Sequence, residues 1–162
     1  MALDEDYKSK ELAIKRAAAE YLSMYNINKQ ELKDIINDAM YGGGCKDNWR
    51  QSGGSHSDPT ASRALQCVNS PRVKELRKSL AIVENTVKEL RASNRLDDKR
   101  RLMIIKLYYI GSCRTLGEAY MRMGIADKTG RNCHDRLLRQ VARIAGLAKD
   151  EANLTVNNAC KW

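Results

Sequence analysis

The chain has 162 residues, 43% of them hydrophobic and 30% charged, with a formal net charge of +9. That length supports an apolar core without metals or disulfides, and the charge points to a polyanionic partner. No stretch approaches the roughly 20 apolar residues of a membrane span. Met1 to Lys10 is acidic and lacks an apolar run, so a secretory leader is not expected.

The charge is unevenly distributed. Residues 1–41 are net −2, residues 42–95 net +5, residues 96–147 net +6, and residues 148–162 neutral. Five cysteines, Cys45, Cys67, Cys113, Cys133 and Cys160, are odd in number and form no C-x-x-C pair. Reduced thiols in a cytoplasm are the expectation. His56 and His134 are the only histidines, and the adjacent Cys133 and His134 cannot face one way on a helix. No metal site and no cofactor is expected.

Residues 5–25 read as a helix with Leu12, Ile14, Ala17, Ala18, Tyr21, Leu22 and Tyr25 as its apolar side. Asn28-Lys29-Gln30-Glu31 has the form of a capping signal. A second amphipathic helix then carries Leu32, Ile35, Ile36, Ala39 and Met40 and ends at Gly42-Gly43-Gly44. Residues 42–57 hold five of the ten glycines and form a basic Gly/Ser-rich loop. Within it Trp49 and Arg50, with Lys46 nearby, are either a hook back onto the core, the preferred reading, or a contact for a partner.

Asp58-Pro59 opens a short helix with proline at its first position, and Ser70-Pro71 repeats the device. The helix from Pro71 to about Ser93 carries Val73, Leu76, Leu80, Val83, Val87 and Leu90 at alternating spacings of three and four. Such a seam serves either an intramolecular bundle, the preferred reading, or a dimer. Ile82, Ser79, Thr86 and Ser93 lie outside the seam.

Leu96 to Leu147 reads as three helices. Asp97 and Asp98 suit the positive end of the first one. It runs to Tyr109 with Leu102, Ile105 and Tyr109 in its stripe, widened by Met103, Ile104, Leu107 and Tyr108. Gly111-Ser112 breaks it. Thr115-Leu116-Gly117-Glu118 has the form of a capping box, in which Thr115 accepts from the amide of Glu118 and Glu118 from that of Thr115. A short helix follows and stops at Gly124. A longer one, capped by Asp127 or Thr129, buries Cys133, Leu137, Leu138 and Val141 and ends near Gly146.

A short capped helix, a glycine turn and a longer Arg-rich helix are the parts of a DNA-reading helix-turn-helix, spanning 115–145. Lys128, Thr129, Arg131, Asn132, Arg136 and Arg139 are the candidate contacts with double-stranded DNA, with Arg114 just before the module. Arg and Lys suit guanine and phosphate, and Asn suits adenine. The expected fold is all-α: N-terminal helices over 1–41, the loop 42–57, a helical body over 58–147 and a tail over 148–162. No catalytic motif is present, so an enzyme is not expected.

Glu118 to Ile125 lines up with the first helix and turn of sigma-region-4-like modules. That register puts Tyr120 where a small residue usually sits and Gly130 where an aliphatic usually sits, so the internal packing differs. Together with Ser52-Gly53-Gly54 and Ser57-Asp58-Pro59-Thr60, the layout over residues 20–147 resembles phage late-gene transcription regulators. Two groups compete: the Q-type antitermination proteins of lambdoid phages in their short, zinc-less branch, and the ArpU/RinA-like late activators. The resemblance implies DNA near the late promoter and host RNA polymerase with sigma factor as partners, with nascent RNA as a further contact, in the cytoplasm of a bacterial host. A packaging adaptor resembling a small terminase subunit is the third reading. Monomer and dimer are both open.

Overall fold

The computed structural model describes residues 2–41, 65 and 67–147, with side chains from Tyr7 onward. Every element among them is helical: α1 (Ala2–Ser23), α2 (Tyr25–Tyr41), α3 (Pro71–Ala92), α4 (Leu96–Ile104) continued by a π-helical turn (Ile105–Tyr109), α5 (Leu116–Arg122) and α6 (Asp127–Ile144). None is long and apolar enough to cross a membrane. The loop residues Lys46, Trp49 and Arg50, the Asp58-Pro59 start of the expected short helix and the tail 148–162 lie outside the described residues, while residues 65 and 67–69, before Ser70, are helical.

The chain divides into two compact units, Met1–Tyr25 with Ala81–Trp162, and Asn26–Leu80. This division differs from the one that composition suggests at residue 41. The stripe on α1 explains why: Ala18 and Leu22 are buried in one core with residues of α6, with Ile14 and Tyr21 packed beside them, and a helix lies where its apolar face is covered. Leu12 is half exposed and stands outside that stripe.

In the smaller unit Ser70 caps α3 as expected, its hydroxyl accepting from the amide of Val73 at 3.2 Å, with Pro71 at the first helical position. The capping signal at Asn28 is not used. The α2 helix already begins at Tyr25, and Asn28 is buried within it. Its amide nitrogen donates instead to the Ser79 hydroxyl at 3.0 Å, since a buried amide needs a partner more than the helix end needs a cap. Arg72 binds Glu31 through two bonds of 2.7 Å. This fork holds the Glu31 carboxyl below its ordinary range.

In the larger unit α3 buries more than the heptad seam. Val83 and Leu90 are joined inside by Ile82 and by Thr86, which is fully buried. The Thr86 hydroxyl donates to the carbonyl of Ile82 at 2.8 Å, so its burial strands no polar group. Ile82, Val83 and Leu90 share the core with α1, α4, α5 and α6, which spends this part of the seam inside one chain.

The helix expected from Asp97 to Tyr109 changes pitch at Ile105. The amide of Ile110 donates to the carbonyl of Ile105 at 2.9 Å, the wide spacing of a π turn. The adjacent Ile104 and Ile105 are both buried, whereas Met103 is 41% exposed rather than part of the core. Asp97 and Asp98 occupy the first turn of α4. Asp98 accepts from Ser93 and pairs with Arg101. Arg101 donates to Gln140 at 2.8 Å, Gln140 to Glu89 at 3.0 Å, and Arg143 to the same carboxylate at 2.6 Å. One polar chain thus ties α3, α4 and α6 together.

Between α5 and α6 the large and small positions have traded places. The Tyr120 ring, 2% exposed, lies on the backbone of Gly130. A Cβ on Gly130 would fall 2.4 Å from Tyr120 Cγ and 2.6 Å from both Cδ atoms. The ring fills the space that an aliphatic at residue 130 would otherwise take, and the helices approach through glycine.

Gly130→Leu should destabilise the protein by about 1–3 kcal/mol through overpacking, and Tyr120→Ala by about 3–5 kcal/mol. Urea denaturation of both single variants and the double should show a coupling of about 0.5–3 kcal/mol, with the double variant better than additive. Strict additivity would show that the two residues do not share one space.

Candidate nucleic-acid interface

Thr115 sits at the N-cap of α5 in extended conformation, φ −132° and ψ 154°, and its hydroxyl accepts from the amide of Glu118 at 3.1 Å. The return bond of the expected box goes one residue further back. Glu118 accepts from the amide of Arg114 at 2.9 Å, not from Thr115, and its other oxygen takes Arg122 at 2.8 Å. Glu118 therefore pins the main chain at Arg114 and pairs with Arg122.

The end of α5 is a Schellman motif. Gly124 takes φ +64°, its amide donates to Met121 at 3.0 Å, and the amide of Ile125 donates to Tyr120 at 3.1 Å. The end of α6 repeats it with Gly146 at φ +72° and bonds from Gly146 to Arg143 and from Leu147 to Ala142. Both glycine stops are where the sequence places them. The cap of α6 is not. Ala126 holds that position without a side-chain bond. Asp127 lies in the first turn, where its charge suits the helix dipole, and Thr129 is half-buried further in.

The buried face of α6 is the expected one: Cys133, Leu137, Leu138 and Val141, extended by Gly130 and Ala142. Burial pushes the Cys133 thiol pKa up, and Cys67, Cys113 and Cys133 are free thiols. No group of three His, Cys, Asp or Glu side chains among the described residues could hold a metal.

The exposed face has two unlike halves. Near the N-terminus Lys128 and Asn132 are exposed, and Arg131 is 76% exposed with one tie, to Asp127 a turn earlier at 2.8 Å. Such an exposed pair constrains little. Further along, the cations are held by other helices. Arg136 donates to Asp97 at 3.0 Å. Arg139 binds Glu11 of α1 at 2.8 Å and Asp135 at 3.3 Å, while Lys15 binds Asp135 at 2.5 Å and Glu11 at 2.9 Å. Hydrogen bonding to Lys15 lowers the Glu11 carboxyl pKa, and hydrogen bonding to Asp135 raises that of Lys15. The structure thus separates the candidate contacts into a set with no tie to another helix among the described residues, Lys128, Arg131 and Asn132, and a set tied to other helices, Arg136 and Arg139. Arg114 is exposed in the loop before α5. Reading one helix at a time cannot find Glu11 as the partner of Arg139, because 128 residues separate them.

His134 also points inward. Its Nε2 lies 2.7 Å from the Tyr109 hydroxyl, and the two rings are stacked at 6.0 Å. Burial lowers the His134 pKa, against a smaller opposing effect of Asp135. Burial likewise raises that of Tyr109. Burial thus favours the uncharged form of both rings. No protein-family model matches the chain, and no curated protein or solved structure shows significant similarity to it.

Nothing lies within 4 Å of a Cβ built on Gly124, so Gly124→Val should lose about 1–3 kcal/mol through backbone strain alone. Calorimetry with unchanged melting would show that the turn accepts another conformation. The second expectation concerns pH. With the folded pKa of His134 below the unfolded value of about 6.5, the unfolded chain protonates first. Its contribution is intact above about pH 6.5 and is lost as pH falls below that value toward the folded pKa. His134→Gln should flatten the stability profile in that window; an unchanged slope in chemical denaturation would exclude His134 as its source.

Proposed function

We propose that the chain is a DNA-binding transcription regulator in which α5 and α6 act as a sigma-region-4-like helix-turn-helix. The observation that carries this is the N-terminal half of α6. A capped short helix and a Schellman turn precede it, and Lys128, Arg131 and Asn132 stand there exposed, with no tie to another helix among the described residues. A recognition helix presents its first turns to base edges in the major groove. An Arg fork pairs with guanine and an Asn amide with adenine. The basic excess of residues 42–147 supplies the attraction to phosphate.

On this reading the protein is a phage late-gene factor of the antitermination type. It binds near the late promoter, loads onto host RNA polymerase with its sigma factor, and suppresses pausing and termination. Loop 42–57, with Lys46, Trp49 and Arg50, supplies part of the polymerase contact.

Arg131→Ala and Asn132→Ala should each cost about 1–3 kcal/mol on the preferred duplex and relax specificity there. Lys128→Ala should weaken all duplexes alike and reduce the salt slope by about one unit. Arg139→Ala should change the slope less, because Glu11 and Asp135 already neutralise it. Affinity across a salt series checks all four variants, alongside binding to polymerase with and without a late-promoter fragment. Wild-type affinity and slope throughout would remove α6 as the reading helix. A stable ring without polymerase binding would favour a packaging adaptor.

A further inference from the structure

Beside the α5–α6 turn runs a groove of about 410 Å³. One wall is a stripe of α4, Leu96, Lys99, Arg100 and Met103, at the spacing of one helix face; the other is the end of α5 and the turn, Arg122 to Ile125. Its floor is apolar: Leu96 is 62% and Met103 41% exposed, with Met123 and Ile125 half-buried. This floor is uncovered among the described residues: Met103 is turned out of the core and a Cβ at Gly124 would meet nothing within 4 Å. The rim carries Lys99, Arg100 and Arg122, and no carboxylate lines the groove. Arg100 and Arg122 each have one acidic neighbour on their own helix, Asp97 and Glu118, and Lys99 has no ion pair among the described residues.

We propose that this groove docks an acidic amphipathic helix of a partner protein. An apolar strip on the guest covers Leu96, Met103, Met123 and Ile125, and its flanking carboxylates meet Lys99, Arg100 and Arg122. Helix-in-groove recognition uses anchors at such spacing, and unbranched methionines adapt to the guest's side chains. A nucleic-acid strand fits less well, because no aromatic ring lines the groove to stack a base. The surface is separate from the exposed face of α6, so the inference stands whether or not α6 reads DNA.

The test uses the full chain and a labelled helical peptide of about four turns, with leucines spaced three and four apart and glutamates on the flanks. A second peptide carries lysine for glutamate. The wild-type protein should bind the acidic peptide, more weakly as salt rises, and should not bind the basic one. Lys99→Glu and Met103→Asp, both at exposed positions, should each weaken binding about tenfold or more, while Arg131→Ala should leave it unchanged. Absence of binding, equal binding of both peptides, or full binding by both groove variants would overturn the proposal. So would a wild-type dimer that Met103→Asp converts to monomer, which would assign the groove to a second copy of the chain.

Discussion

The contact on which the larger unit depends is the Tyr120 ring lying on the bare backbone of Gly130. It sets how near α5 comes to α6, and a single Cβ added at Gly130 would change the spacing. Tyr120 is also the residue whose carbonyl closes the Schellman turn through Ile125. Turn and packing are therefore coupled through one residue: the backbone of Tyr120 ends α5 while its ring positions α6. The phenol oxygen is buried with no hydrogen-bond partner among the described residues. The packing position, rather than any use of the hydroxyl, accounts for the ring.

Once α6 is placed, its charges sort themselves by neighbour. The C-terminal half of its exposed face lies against acidic residues of α1 and α4, so Arg136 and Arg139 meet Asp97 and Glu11. The N-terminal half projects beyond them and carries Lys128, Arg131 and Asn132 into solvent. Exposed pairs such as these contribute little to stability. They tie Arg136 and Arg139 to neighbouring helices, whereas Arg131 is paired only within α6, to Asp127.

The pitch change at Ile105 acts on the core side of α4. Toward the core it keeps Ile104 and Ile105 buried together and brings Tyr109 against His134. Before the π turn, the regular α-helical part of α4 carries Leu96 and Met103 into the wall of an open groove with cations at its edge. A regular α-helix with the same side chains would carry Tyr109 round by a different angle, since each residue turns less in a π turn.

What the sequence determined by itself was local. Thr115 as a cap, Ser70-Pro71 as a helix start, Gly124 and Gly146 as stops, and the apolar stripe of α6 all follow from rules that act within a turn of helix. The exposure of Lys128, Arg131 and Asn132 was legible for the same reason, because they lie opposite that stripe. Tertiary structure decided the rest. Asn28 lost its capping role to a buried bond with Ser79, and Thr86 went inside because Ile82 could satisfy its hydroxyl. Register hinted that Tyr120 and Gly130 were exchanged, but only packing showed that each accommodates the other. The binding of Arg139 by Glu11 had no local signal at all: an ion pair between residues 128 positions apart exists only after the apolar faces of α1 and α6 have met.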